Sequence, residues 1–295
     1  MSRYWIAACA ALIAVFGGLM PVAESASATP APEVKPSACG ADKFLKADGS
    51  RYKCSFVDNF SGTELNDEKW MVQVSSNLSG FSPGRTCFID SPNNVFVRDG
   101  HLNLVGRVGD LPTRCKTPYR LFFSKYTGGA VVTWDRFSQT YGRFSFRAKY
   151  PGTDEAGYNS NIWMSPQKLT YGRWPRSGEI DIAEYWSGHP DMVHPSLHFT
   201  GHSRADTAWD CKVPNVGDFH TYTLEWDPTE MRFFYDDTLC FKRSWKPWMH
   251  PRDGRPFNHP FGLVMSQGIW DPYFPVSKEL PKSGTMQVDW VRVWR

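Results

Sequence analysis

After an apolar run at its start, the chain never sustains a helical hydrophobic period; it proceeds instead as short period-two segments separated by turn residues. Gly142-Arg143-Phe144-Ser145-Phe146-Arg147-Ala148 alternates polar and apolar residues as a half-buried strand does. Asn94–Val97 and His101–Leu104 flank Arg98-Asp99-Gly100, which reads as a hairpin turn, and Met231–Tyr235 and Leu239–Lys242 flank Asp236-Asp237 in the same way. Further strands are expected at Ala130–Trp134, Asn161–Met164, Val193–Phe199, Thr221–Trp226, Phe261–Met265 and Met286–Trp294. Many short strands at regular spacing imply an all-β sandwich or barrel. No linker or repeat interrupts residues 39–295, and a sandwich can fill that length as one domain.

The opening residues read as an export signal. Met1-Ser2-Arg3 is a short basic start, an apolar stretch runs from Tyr4 to about Ala23, and Ala26-Ser27-Ala28 fits a small-residue cleavage site. The expected organisation is therefore a signal peptide over residues 1–28, a Pro- and Ala-rich flexible lead-in over 29–38, and a folded domain over 39–295. An uncleaved signal anchor is the alternative, but the apolar run is near the short end for a membrane span. No second hydrophobic segment follows, so no membrane association is expected once the signal is removed, and the expected location is extracellular. Cysteine usage agrees: beyond Cys9 six remain, an even number that suits disulfides in an exported chain. The pairing expected is between nearest neighbours, Cys39–Cys54, Cys87–Cys115 and Cys211–Cys240, because each closes a modest loop. No C-x₂-C spacing points to zinc.

Formal charge is +3 and no dense basic run occurs, so a nucleic-acid partner is not expected. The 13 Trp, 12 Tyr and 20 Phe are more telling. Most large rings will fill a β core. About 3 or 4 of the Trp would suffice to line a cleft and stack on sugar faces.

The chemistry is concentrated in Gly178-Glu179-Ile180-Asp181-Ile182-Ala183-Glu184-Tyr185-Trp186. Alternation places Glu179 and Asp181 on one strand face and Ile180 and Ile182 on the other. Strict alternation would then send Glu184 into the core, where an unpaired carboxylate is costly. A β-bulge near Ile182-Ala183 returns Glu184 to the acidic face. Three crowded carboxylates must separate in pKa, as glycoside cleavage requires: one ionised to attack, one protonated to assist the leaving oxygen. The outer two start roughly 13 Å apart at Cα by strand rise, and curvature and long side chains draw the carboxyls together. A gap of about 5–5.5 Å would mean retention through a covalent intermediate. The plainer reading, a solvated acidic strand face, is opposed by the aromatic-rich stretches on either side.

Glu-Ile-Asp-Ile-Ala-Glu resembles the bulged Glu-x-Asp-x-x-Glu signature of glycoside hydrolase family 16, laminarinase-like type. Other segments also resemble that family: Gly142 to Pro151, Ile162-Trp163-Met164, Trp174-Pro175, Val193-His194 to Leu197-His198, Phe219 to Trp226, and Val288 to Val293. The resemblance spans roughly residues 55–295. It implies a β-jelly-roll sandwich of two antiparallel sheets with a cleft across the concave face. It implies Glu179 as nucleophile, Asp181 as assisting residue and Glu184 as acid/base in hydrolysis of a β-glucan, most simply as an endo-1,3-β-glucanase. Trp163 and Trp174 match positions that line the sugar cleft. His198 matches a histidine that orients the carboxylates, although a core histidine is an equal reading at this point. No cofactor is required by this chemistry. The family allows a structural Ca²⁺ on the convex face, with Asp289 at the matching place, where an ordinary salt bridge is an equal reading. A monomer is expected.

Three departures bear on specificity. Ala183 stands where many laminarinases carry a larger residue, Trp186 where a smaller one is common, and Met265-Ser266-Gln267-Gly268-Ile269-Trp270 replaces an Asn-x-x-x-Gly-Gly run. Gln267 and Trp270 are accordingly read as sugar contacts, with ordinary core and loop residues as the alternative. The same fold could serve a mixed-linkage glucan, a galactan or transglycosylation. A non-catalytic carbohydrate-binding protein would have no need for three adjacent carboxylates. No phosphate-binding loop or Ser-His-Asp elbow is present.

Overall fold

A computed structural model of the protein describes residues 38–40, 44–46, 48–75, 86–118, 120–189, 191–245, 255–269 and 275–295. The expected signal peptide, residues 29–37 of the lead-in, and Trp270 lie outside the described residues. Pro32–Arg295 form one compact unit.

Fifteen strands make up almost all regular structure among the described residues: β1 Cys54–Asp58, β2 Met71–Val72, β3 Thr86–Phe88, β4 Val95–Arg98, β5 His101–Lys116, β6 Leu121–Val132, β7 Gly142–Lys149, β8 Tyr158–Pro166, β9 Glu179–Trp186, β10 Val193–His198, β11 His220–Trp226, β12 Met231–Tyr235, β13 Thr238–Arg243, β14 Phe261–Ile269 and β15 Ser283–Trp294. Every strand read from the sequence is present. The two hairpins form as expected, with Arg98 opposite His101 and Tyr235 opposite Thr238. Asp236 and Asp237 both adopt left-handed backbone angles, which lets a two-residue turn follow the strand twist.

The strands lie in the order β10-β9-β8-β14-β6-β5-β15-β7-β11-β12-β13. This is a jelly-roll sandwich whose two layers are joined through β6. The first part of β6 pairs with β5 and its last four residues pair with β14. At that passage Gly129 touches the opposing chain so closely that a Cβ would sit 2.1 Å from the Asn94 carbonyl oxygen. Only glycine permits the crossing. One pairing departs from the expected antiparallel pattern: β3 runs parallel to β6. The β5–β6 ribbon is also longer than the sequence suggested, because its outer half is largely exposed and lacks clear alternation.

Period-two alternation builds the core. Phe144, Phe146 and Ala148 of β7 face Leu102 and Leu104 of β5 and Val288, Val291 and Val293 of β15 in one hydrophobic cluster, together with Ile162, Met164, Ile180 and Ile182 from the other layer. Each of the Phe, Leu, Val, Ile and Met side chains contributes about 2 kcal/mol when fully buried. All three expected disulfides are formed, Cys39–Cys54, Cys87–Cys115 and Cys211–Cys240.

Candidate active site

The acidic strand β9 is flanked by β8 and β10, and both neighbours record the same irregularity. On β8, Ile162 pairs with Ala183 but Trp163 pairs with Asp181, so Ile182 is skipped. On β10, His194 pairs with Glu184 and Ser196 with Asp181, so Ile182 and Ala183 together oppose Pro195. This is the bulge that alternation demanded. Ile180, Ile182, Ala183 and Tyr185 are all fully buried, while Glu179, Asp181, Glu184 and Trp186 share the opposite face.

A bulge frees backbone carbonyls from the ladder, and buried carbonyls need partners. Two tyrosines from the other layer supply them. Tyr235 donates its hydroxyl to the Ile182 carbonyl at 2.9 Å, and Tyr150 donates to the Ala183 carbonyl at 3.3 Å. Tyr150 stacks on Tyr185 at 5.2 Å, and Tyr222 packs against both Tyr150 and Tyr235. Burial pushes the Tyr150 and Tyr235 hydroxyls well above the usual phenol range, which keeps them as donors. Sequence reading missed these residues. Their only signal is aromaticity, since their partners lie tens of residues away.

His198 belongs to the site and not to the core. It sits opposite Glu179 in the β9–β10 register, with Nε2 at 2.9 Å from Asp181 Oδ2 and 3.9 Å from Glu179 Oε1. Burial works against its positive charge, but the hydrogen bond to Asp181 and the charges of Asp181, Glu179 and Glu184 outweigh it and raise the imidazolium pKa to about 9. Glu179 is pushed up to about 8, first by burial and then by the Asp181 charge; His198 and a hydrogen bond from the Trp174 indole act in the opposite direction. Burial, then Asp181, raises Glu184 well above the carboxylate range, with His198 and an Asn159 hydrogen bond opposing. The two glutamates titrate as a coupled set. Glu179 has the indole donor and the imidazolium close by, which favours its charge; Glu184 is the better proton holder.

Trp174 is 53% exposed and lies 5.9 Å from His198, over the Glu179 end of the site. Trp163 pairs with Asp181 in register and packs on Val132 and Val264 beneath the acidic row. Asn161 opposes Glu184 and exchanges hydrogen bonds with Asn159, which itself opposes Trp186.

Gln267 does not meet the expectation of a sugar contact. Its side chain is fully buried and Ser160 donates a hydrogen bond to its Oε1. It points between the layers, where the bare Cα of Gly106 leaves room: a Cβ there would lie 3.3 Å from Gln267 Nε2. Asp289, the place matched to a calcium ligand, forms an ion pair with Arg147. Among the described residues, one group could hold a cation, Glu179, Asp181 and His198, whose ligand atoms lie within 4.8 Å of one another; there His198 Nε2 is already engaged by Asp181.

Similarity to known proteins points the same way. The family model of glycosyl hydrolases family 16 matches residues 103–292. A glucan endo-1,3-beta-glucosidase A1 from Niallia circulans is 30% identical over 81% of this chain and 37% of its own length. A beta-glucanase from Rhodothermus marinus is 35% identical over 88% of this chain and 90% of its own. The solved laminarinase structure from Rhodothermus marinus superposes with a TM-score of 0.69 at 31% identity, covering 83% of this chain and 97% of that one.

Proposed function

The chain belongs to the glycosyl hydrolases of family 16, and on that premise we propose that it is a secreted, monomeric, retaining endo-1,3-β-glucanase with Glu179 as nucleophile and Glu184 as acid/base. The observation that carries this reading is the bulge at Ile182-Ala183, which turns Glu184 onto the face of Glu179 and Asp181.

In the first step Glu179 attacks the anomeric carbon in the protonation state where it has released its proton and Glu184 holds one, a state whose share grows as pH rises toward about 8. Glu184 gives its proton to the bridging oxygen, and the leaving sugar departs with that proton. A glycosyl ester on Glu179 remains. Glu184, now ionised, takes a proton from water; the hydroxyl oxygen attacks the same carbon and the ester bond breaks, restoring Glu179. Two inversions leave the β configuration. Asp181 and the His198 imidazolium lie between and beside the two glutamates and let the negative charge move from one to the other without leaving an uncompensated charge.

The β-1,3-glucan substrate is supported by the names of the relatives, and extracellular action by the three disulfides. Incubation with laminarin, lichenan, agarose and carrageenan, reading product linkage and anomeric configuration, tests the reading. Laminarin should be cut internally to β-configured products. Glu179→Gln and Glu184→Gln should each lose at least about a thousandfold in kcat. Initial α products, or full turnover in either variant, would overturn it.

A further inference from the structure

Beyond Glu184 the concave face ends in an aromatic group that the two-glutamate chemistry does not use. Trp186 lies two residues past Glu184 on the same face, and His194 stands opposite Glu184 on β10. Their rings are 5.1 Å apart. Trp209, from the irregular segment after β10, lies 5.4 Å from His194 and 6.5 Å from Trp186, within 20° of parallel to the latter. Trp186 and His194 are buried, whereas Trp209 is 37% exposed. Burial holds the His194 imidazole below its usual pKa, so it is a neutral ring here, bonded through Nδ1 to the Ala208 carbonyl at 3.0 Å.

The segment that presents Trp209 is fastened at several points. Ser203 and Asp206 form a capping box around a single 3₁₀ turn, and Asp206, itself buried, is held by Arg243 Nε at 2.7 Å. Thr207 bridges to Ser196, the Ala208 amide donates to the Pro195 carbonyl at 3.1 Å, and Lys212 bridges to Met192. Cys211 is tied to Cys240 on β13. A loop fixed this firmly holds its exposed indole in one place, and an indole fixed beside a proton donor is a preorganised stacking surface.

We propose that Trp209, seated on Trp186 and His194, is the platform for the sugar on the leaving-group side of the scissile bond, with a β-linked pyranose laying its apolar C–H face on the indole. The side follows from the chemistry. Glu184 must touch the bridging oxygen, which leaves with that sugar, so the groups flanking Glu184 away from Glu179 meet the leaving sugar. Trp174 and His198, at Glu179, meet the sugar that is attacked. The Arg204 guanidinium lies over the Trp209 ring, 5.6 Å from its centroid, and this exposed side chain can swing aside to donate to sugar hydroxyls. The same surface receives an acceptor sugar in transfer: the Glu179 ester bond breaks, a bond from the anomeric carbon to the acceptor oxygen forms, and Glu184 takes the acceptor proton. This inference rests on the assignment of Glu179 and Glu184 above.

The test compares Trp209→Ala and the conservative Trp209→Phe with the wild type on two substrates. Laminaripentaose places sugars on both sides of the cleaved bond; β-laminaribiosyl fluoride has no leaving sugar. For Trp209→Ala, kcat/KM on the pentaose should fall about fivefold or more, carried mainly by KM. Transfer to added laminaribiose should fall with it, fluoride release should change far less, and the Phe variant should recover most of the loss. Equal losses on both substrates, or no loss on the pentaose, would overturn the platform. A wild type that turns over neither substrate would defeat the functional reading. In that case calorimetric titration with laminaritriose decides the platform alone: weaker binding by Trp209→Ala supports it and unchanged binding overturns it.

Discussion

Asn161 stands directly opposite Glu184, while Trp163, two residues further along β8, meets Asp181, three residues back along β9. The mismatch of two against three is what places the outer carboxyl in the cleft. Deleting Ala183 would remove the bulge and leave Glu-Ile-Asp-Ile-Glu in strict alternation, with Glu184 still on the acidic face. Turnover should therefore survive the deletion, falling far less than on loss of the proposed acid/base itself, and unfolding should stay cooperative. Activity assays and denaturant unfolding check both, and a folded deletion variant as inactive as Glu184→Gln would show that the bulge itself, and not only the face it gives Glu184, is needed.

Tyr235 reaches the carbonyl of Ile182 from the opposite layer at 2.9 Å. Tyr235→Phe leaves that carbonyl buried without its donor, which costs about 1–2 kcal/mol. If the hydroxyl positions Glu184, kcat should fall while KM for laminarin stays near its original value. Loss of stability with unchanged kcat would limit Tyr235 to a structural role.

His198 remains protonated through neutrality, with a pKa raised to about 9, and its charge lowers that of Glu179. In His198→Gln the proposed nucleophile, Glu179, loses a cationic neighbour and ionises less readily. The acidic limb of kcat/KM should therefore move to higher pH, and the difference from the wild type should shrink above about pH 9, where the wild-type imidazole is neutral as well. A limb displaced toward acid would contradict the charge assignment.

Glu179 has a folded pKa of about 8 against an ordinary 4.5, so the fold favours its neutral form. The unfolded chain ionises this group first as pH rises. Stability is thus unaffected by it below about 4.5 and is progressively lost up to about 8. Glu179→Gln removes that penalty. The variant should be more stable than the wild type at pH 7, by at most about 3 kcal/mol, and equally stable at pH 4. Thermal unfolding at the two pH values measures the difference, and a variant less stable at pH 7 would refute it.

The layout of the site was legible wherever local alternation carried the information. Ile180 and Ile182 on one face, with an acid at 184 instead of 183, leave a bulge as the only arrangement that spares Glu184 from burial. Nearest-neighbour cysteines paired because each pair is joined by a short excursion of chain. Gln267 takes the core reading of the two open to it, and its own neighbourhood could not decide between them: β14 is buried along its whole length, so no polar–apolar alternation marks which face it takes, and the space that receives its side chain is made by Gly106 on a different strand. Tyr150, Tyr235 and Trp209 were invisible for a related reason. Their roles arise from contacts between layers or across loops, and nothing in their own neighbourhood of sequence encodes those contacts.

The tyrosine contacts carry a consequence for how this molecule would fail. Ile182 and Ala183 receive their hydroxyl donors from Tyr235 and Tyr150 only while the two layers are docked face to face. A swollen state that kept every strand but let water between the layers would lose those contacts before it lost its far-ultraviolet signature. Inactivation on mild heating would then be a gauge of layer separation, read out from the chemistry well ahead of any melting of the strands.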